Sequence, residues 1–154
     1  KGWFGSPSGR GDRNVRDRAR PPVLPMAEML LDVTVFEDYR SGHPGARSIM
    51  EKVLAGELPA SVASLTVFDL WRSPGFDRRA EIGYSGMLSF LEEAPLSLDA
   101  AKMAGIWLAS VPASEREGLA RVALIAAVAS ERGEPICTRN PVPFSRFYSS
   151  LIDY

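Results

Sequence analysis

Asp32 is the first residue whose type and setting indicate chemistry. It interrupts residues 29–35, a run that is otherwise apolar or β-branched. Such a run is typical of a strand that is covered on both faces of a parallel sheet. A carboxylate inside the run costs free energy unless a partner pairs with it, and ligands of open α/β sheets bind beyond the carboxyl ends of the strands. Asp32 is therefore a candidate site residue; the alternative is that it only caps the helix that follows.

Asp69 is the second candidate. Residues 60–63 predict another strand, and Ser64 stands at the N-cap position of a short predicted helix over residues 65–71. Because this helix starts at the end of a strand, Asp69 can point into the same crevice as Asp32. The alternative is an acidic side chain on a solvated helix face.

Strand-like and helical segments alternate along the rest of the chain. Further short strands are predicted at residues 94–98 and 134–138, and helical patterns separate them. This alternation predicts a parallel sheet with helices on both faces. The two candidate carboxylates would then lie at the edge of the sheet where the strands end.

Composition excludes several classes of protein. The 154 residues fall in the range of a single domain, and 45% of them are hydrophobic, which is enough for a sizeable core. We find no apolar run near the ~20 residues of a membrane span and no signal-peptide pattern, so we expect a cytoplasmic protein without a membrane partner. With one cysteine, Cys137, and one histidine, the chain has neither an internal disulfide nor a thiolate zinc site.

The first 25 residues differ in composition from the rest. Residues 1–25 are rich in Gly, Ser, Pro and Arg, carry a net positive charge and contain few aliphatic side chains. This composition predicts a basic, disordered arm, with the folded domain over residues 26–154. Either the arm contacts nucleic acid, or it is an extension without a folded role.

Four segments together resemble the motifs of PIN-domain proteins, most closely the VapC-like toxins. Residues 31–35 resemble the family's first motif, in which an Asp ends the first strand and Ser or Thr follows two residues later. Residues 64–70 resemble the second motif, which usually has Glu at the place of Asp69. Residues 122–127 resemble an acid-Ala-Leu-Ile-Ala-Ala run, and residues 138–144 resemble a Thr-x-Asn-x-x-Asp-Phe run.

The resemblance implies a three-layer αβα sandwich with a central, mainly parallel sheet. It also implies an endoribonuclease that uses Mg²⁺ or Mn²⁺, acts on RNA and is neutralised by a small antitoxin protein. Asp32 and Asp69 would be the catalytic, metal-binding acids. Thr34, Thr138 and Asn140 match the positions that orient the acids, the waters or the substrate.

Two of the four acidic positions of the family are apolar in this chain. Val122 and Pro143 stand where acids are expected. One or two carboxylates can still hold Mg²⁺ together with water and phosphate, so we expect weak metal binding and impaired cleavage.

Other functions follow from the same residues. A non-catalytic PIN-like module that binds a protein or RNA is the main alternative. Trp71 and Trp107 lie on apolar helix faces and would serve in packing or in a homodimer contact. A phosphatase of the haloacid-dehalogenase type is disfavoured because Thr34 stands where that chemistry needs a second Asp.

Overall fold

A computed structural model describes residues 27–154, so the predicted arm at residues 1–25 lies outside the described residues. Within residues 27–154 there are five strands and seven helices. The strands are β1 (Met29–Leu31), β2 (Ala60–Ala63), β3 (Glu92–Ala94), β4 (Ile136–Cys137) and β5 (Leu151–Ile152). The helices are α1 (Val33–Ser41), α2 (Pro44–Leu54), α3 (Ser64–Trp71), α4 (Arg78–Leu88), α5 (Leu98–Ala109), α6 (Ala113–Arg132) and α7 (Pro141–Ser145).

The strands form one parallel sheet in the order β3-β2-β1-β4-β5. β1 is the central strand, and Leu31 lies opposite Val62 of β2 on one side and Cys137 of β4 on the other. Helices cover both faces of the sheet, and on each face the strand and helix side chains form a separate buried cluster. The predicted αβα architecture with a parallel sheet is confirmed.

Successive residues of each strand enter opposite clusters, as the two-residue period of a strand requires. Leu30 and Ile136 pack with α5 and α6, whereas the next residues, Leu31 and Cys137, pack with α1, α2 and α4. Burial, with a smaller effect of the charge on Asp32, raises the pKa of the Cys137 thiol to about 12. The thiol is therefore a buried apolar group, as its position in the strand predicts.

The strand predicted over residues 29–35 is too long. β1 ends at Leu31, and α1 begins at Val33 in spite of its three β-branched residues. Tertiary packing outweighs this propensity, because Val35 and Phe36 are both completely buried on the sheet-facing side of the helix.

Prolines lie at the ends of two other strands whose bounds differ from the prediction. The strand predicted over residues 94–98 is found earlier, at Glu92–Ala94: β3 ends at Ala94 before Pro95, and Ser97 caps α5 by accepting a hydrogen bond from the Ala100 N–H at 3.0 Å. Residues 134–138 contribute only Ile136–Cys137, and Pro135, which has no N–H for the ladder, directly precedes this strand. β2 covers residues 60–63 as predicted, and Ser64 is the first residue of α3 rather than its N-cap.

Both tryptophans that were candidates for a dimer contact make packing contacts within the chain. The Trp107 ring stacks on Phe147 with 6.0 Å between the ring centroids, and the Trp71 ring lies 5.2 Å from that of Phe76. Packing therefore accounts for both residues, and the homodimer stays a prediction.

A membrane-crossing helix is not found among residues 27–154, since none of the helices there is both long and apolar enough.

Candidate functional site

The crevice lies where the chain changes direction in the sheet. From β1 the chain moves outward to β2 and β3, and it later returns to place β4 on the other side of β1. The carboxyl ends of β1 and β4 flank this switch point, which is where open α/β sheets bind ligands. Asp32 follows β1 directly and Thr138 follows β4 directly.

Asp32 is directed at the crevice by hydrogen bonds. It occupies the N-cap position of α1, but its side chain makes no capping hydrogen bond. Instead, Oδ2 of Asp32 accepts a hydrogen bond from Oγ1 of Thr138 at 2.8 Å and a longer one from Oγ1 of Thr34 at 3.4 Å. Since only 3% of Asp32 is exposed, these donors offset part of the cost of burying its charge. Helix capping therefore does not explain this side chain.

The two threonines are held in place by the backbone of the β4–α7 turn. The N–H of Arg139 donates to Thr34 Oγ1 at 3.2 Å, and the N–H of Asn140 donates to Thr138 Oγ1 at 3.0 Å. Asn140 itself is exposed at the start of α7 and joins this network through its backbone. The structure thus brings Thr34 and Thr138 to Asp32, whereas the side chain of Asn140 takes no part in these hydrogen bonds.

Asp69 lies on α3, 8% exposed, and contacts two arginines. Its Oδ1 accepts a hydrogen bond from Nε of Arg72 at 2.9 Å, across one turn of the helix. Its Oδ2 accepts a hydrogen bond from Nε of Arg121, which comes from α6. Arg121 also faces Asp32, so the two carboxylates share one cation in the crevice.

Arg121 lies between the two carboxylates. While Nε of Arg121 contacts Asp69, Nη2 lies 3.8 Å from Oδ1 of Asp32. That separation makes an ion pair but is too long for a hydrogen bond. Accordingly, Nη2 of Arg121 and Oδ1 of Asp32 are both buried without a hydrogen-bond partner among residues 27–154.

Sequence reasoning missed Arg121, although one signal was present. It is a single cation directly before the apolar run at residues 122–127. The resemblance drew attention to Val122 instead, but Val122 packs in the buried cluster beneath α6. Arg121, one residue earlier, reaches the crevice. Pro143, at the other apolar position, lies in α7 beside the buried Phe144.

Glu37 is a further acidic residue that the sequence did not single out. Together with Asp69, Arg72 and Arg121 it lines a cavity of about 290 Å³. The pKa of Glu37 is raised above its ordinary value, first by partial desolvation and then by the negative charges of Asp32, Asp38 and Asp69. The positive charge of Arg121 lowers it. The sequence carried no signal for Glu37, because only the structure shows that Val33, one helical turn earlier, lines the same cavity.

A resident Mg²⁺ or Mn²⁺ ion does not fit these residues. A divalent ion at Asp32 and Asp69 would have to displace the guanidinium that already contacts both. Within residues 27–154 there is also no group of three or more side chains of the types that hold metals. Metal binding at Asp32 and Asp69 therefore stays a prediction, and the arrangement of charges opposes it.

The fold was compared with known proteins. No family model and no curated protein matches the chain. Among solved structures, a toxin–antitoxin complex from Klebsiella pneumoniae aligns at 19% identity with a TM-score of 0.60, covering 80% of this chain and 95% of the matched one. VapBC2 from Rickettsia felis bound to a promoter DNA fragment aligns at 20% identity with a TM-score of 0.62, covering 82% and 96%.

DNA-bound VapBC from Salmonella typhimurium aligns at 20% identity with a TM-score of 0.62, covering 84% of this chain and 98% of the matched one. In all three alignments the described domain spans almost the entire matched chain. At this level of identity the likeness concerns the fold. The chain therefore has the fold of the VapC-like PIN domains.

Proposed function

We propose that this chain is a non-catalytic VapC-like PIN module that binds a small antitoxin-like protein. The observation that carries the proposal is the position of Arg121, whose guanidinium contacts Asp69 and faces Asp32. Hydrolysis of a phosphodiester requires an activated water and stabilisation of the charge that develops on the phosphate. In this crevice the carboxylates that would serve those needs are paired with the protein's own arginines.

A groove at the C-terminal end of α1 supports the binding role. We call it the α4 groove; it has a volume of about 550 Å³ and lies between α1, α2 and α4. Its lining includes Ile82, which is 61% exposed, together with the exposed Phe90 and the largely buried Met87. Large apolar side chains grouped at a surface mark interaction sites, and an amphipathic helix is a common occupant of such grooves.

Charge at the α4 groove indicates the chemistry of the partner. Arg40 and Arg79 both line the groove. Arg40 is held in place by the Tyr84 ring, 5.2 Å from the ring centroid, and by a hydrogen bond to the Tyr84 hydroxyl. The complementary occupant is a helix that presents an apolar stripe flanked by acidic residues. The solved toxin–antitoxin complexes of the same fold support a small protein as its source.

The test is binding of a synthetic helical peptide that presents an apolar stripe flanked by acidic residues, measured by calorimetry. Ile82→Glu places a charge in the α4 groove, and we expect it to weaken binding by at least about tenfold. Ile106→Glu is the matched control, because Ile106 is an isoleucine on α5 that is 72% exposed and lies outside the groove. Absence of binding by the unaltered chain, or equal losses in the two variants, would contradict the proposal.

A metal-dependent ribonuclease is the second candidate function. It is favoured by the orientation of Asp32, since Thr34 and Thr138 hold that carboxylate in a single arrangement near Asp69. The two candidates differ in the cleavage of a mixed RNA pool with Mg²⁺ or Mn²⁺. We expect the unaltered chain to cleave no faster than Asp32→Asn. Cleavage that Asp32→Asn abolishes would establish the ribonuclease and overturn the non-catalytic module.

A further inference from the structure

We infer that Arg121 is a built-in counter-ion that occupies a latent divalent-cation site formed by Asp32 and Asp69. The inference rests on the arginine-paired carboxylates of the proposed function and assigns the central role to one of the two arginines. Replacing Arg121 by a neutral side chain should therefore create a cation site that the unaltered chain lacks.

Asp32 and Asp69 share one counter-charge. Asp32 and Asp69 come from different elements, β1–α1 and α3, and both are nearly completely buried. A single guanidinium from α6 contacts one of them and forms an ion pair with the other. Since an arginine is always protonated, this cation is permanent, and the two carboxylates depend on it to offset their repulsion.

The guanidinium of Arg121 does not satisfy all the hydrogen-bonding groups of the site. Nη2 of Arg121 and Oδ1 of Asp32 are 3.8 Å apart, and both are buried without a hydrogen-bond partner among the described residues. An anionic oxygen without a donor is a ready ligand for a hard cation such as Mn²⁺. The guanidinium thus supplies the charge that the site needs but leaves one oxygen of Asp32 without a hydrogen bond.

The carboxylates of Asp32 and Asp69 should keep their positions without Arg121, because each has another hydrogen-bond partner. Asp32 is held by the Thr138 hydroxyl at 2.8 Å, and Asp69 by Arg72 at 2.9 Å. Neither contact involves Arg121. Its removal would free Oδ2 of Asp69 beside Oδ1 of Asp32, and carboxylate oxygens held in position are the type of ligand that binds Mg²⁺ or Mn²⁺.

Calorimetric titration of the full chain with Mn²⁺ tests the inference. We expect Arg121→Gln to bind Mn²⁺ at least about tenfold more tightly than the unaltered chain. Arg72→Gln is the matched control: Arg72 also contacts Asp69, but its side chain is 60% exposed and Arg121 remains in place, so we expect no gain. The double variant Arg121→Gln/Asp32→Asn should lose the gain.

A second variant tests whether the positive charge of residue 121, rather than the size and shape of the arginine side chain, excludes the metal ion. Arg121→Lys keeps a positive charge at the position, so we expect it to fold and to gain no Mn²⁺ binding. If Arg121→Gln is unfolded without metal, Mn²⁺ should restore its cooperative thermal transition, and Asp32→Asn in the same chain should prevent this rescue.

Three results would overturn the inference: equal Mn²⁺ affinity in the unaltered chain and Arg121→Gln, a gain that survives Asp32→Asn, or, where Arg121→Gln is unfolded without metal, a failure of Mn²⁺ to restore its folding. None of them would affect binding in the α4 groove, which depends on Ile82 rather than on the crevice. Conversely, loss of the partner interaction would leave the Mn²⁺ result unchanged, so the two proposals fail separately.

Discussion

Arg121 changes the chemistry of the two carboxylates next to it. In the absence of a cation, Asp32 and Asp69 would be a pair of buried like charges, which proteins tolerate only with compensation. A guanidinium offers a permanent charge and several donors in one plane, so it can contact two acids from different elements at once. In the non-catalytic module proposed above, the same contacts that stabilise this pair would withhold it from a metal ion.

Glu37 provides a pH-dependent prediction at the same scale. Its pKa is raised above the ordinary value of 4.5, so the folded state binds this proton more tightly than the unfolded chain does. Ionisation of Glu37 therefore destabilises the fold above the raised pKa, and the penalty disappears as the pH falls below 4.5. We expect Glu37→Gln to be more stable than the unaltered chain at neutral pH, with a difference that shrinks towards acid.

Urea unfolding at a series of pH values measures this difference. Glu51→Gln, at an exposed position of α2, is the control for replacing a surface glutamate on a helix. A stability difference for Glu37→Gln that is independent of pH, or that grows towards low pH, would show that desolvation and the neighbouring acids do not act on Glu37 as described.

At the scale of elements, the long helix α6 connects the crevice with the far edge of the sheet. Its middle carries Arg121, and its end is set by Gly133, which has a φ of 66° and donates its N–H to the carbonyls of the last turn. The chain then turns so that Glu134 is buried against Ser61 of β2 and paired with Arg132. The register of α6 is therefore determined at its C-terminal end as well as by its apolar face.

We expect Gly133→Ala to destabilise the protein by about 1–2 kcal/mol, because a Cβ is disfavoured in the left-handed conformation. No atom lies within 4 Å of the added Cβ, so the cost comes from the backbone alone. Gly118→Ala, within α6 and equally free of contacts, should instead stabilise the protein by roughly 0.5–1 kcal/mol. Chemical unfolding measures the free energy of unfolding of both variants, which should fall for Gly133→Ala and rise for Gly118→Ala. A lower free energy of unfolding in both variants would point to an effect of the added methyl group itself.

At the scale of the whole molecule, residues 27–154 contribute one buried cluster to each side of the sheet. Residues 1–25 have too few apolar side chains to offset the entropy of ordering, roughly 1–2 kcal/mol per residue. We therefore expect a chain that begins at Met26 to keep the melting temperature of the longer one. Differential scanning calorimetry of both chains is the measurement, and a fall of several degrees would mean that the arm packs against the domain.

The sequence by itself determined the architecture and part of the crevice. Apolar strands covered on both faces and their alternation with helices are local patterns, so the parallel sheet, β2 and the place of Thr138 at a strand end could be predicted from them, whereas the place of Asp32 at the end of the first strand was implied by the family resemblance. The resemblance of four short segments to PIN-domain motifs indicated the same fold. Strand lengths were less predictable, because burial of Val35 and Phe36 outweighs the β propensity at the start of α1.

Only the tertiary structure decided the charge balance of the crevice. Asp32, Asp69 and Arg121 are far apart along the chain and meet because α3 and α6 both dock at the carboxyl edge of the sheet. A helix of period 3.6 can present either of two adjacent residues to such an edge, and the motif pattern favoured Val122 over Arg121. The difference is one residue in the register of α6, and packing of its apolar face places Val122 in the core and Arg121 between the acids.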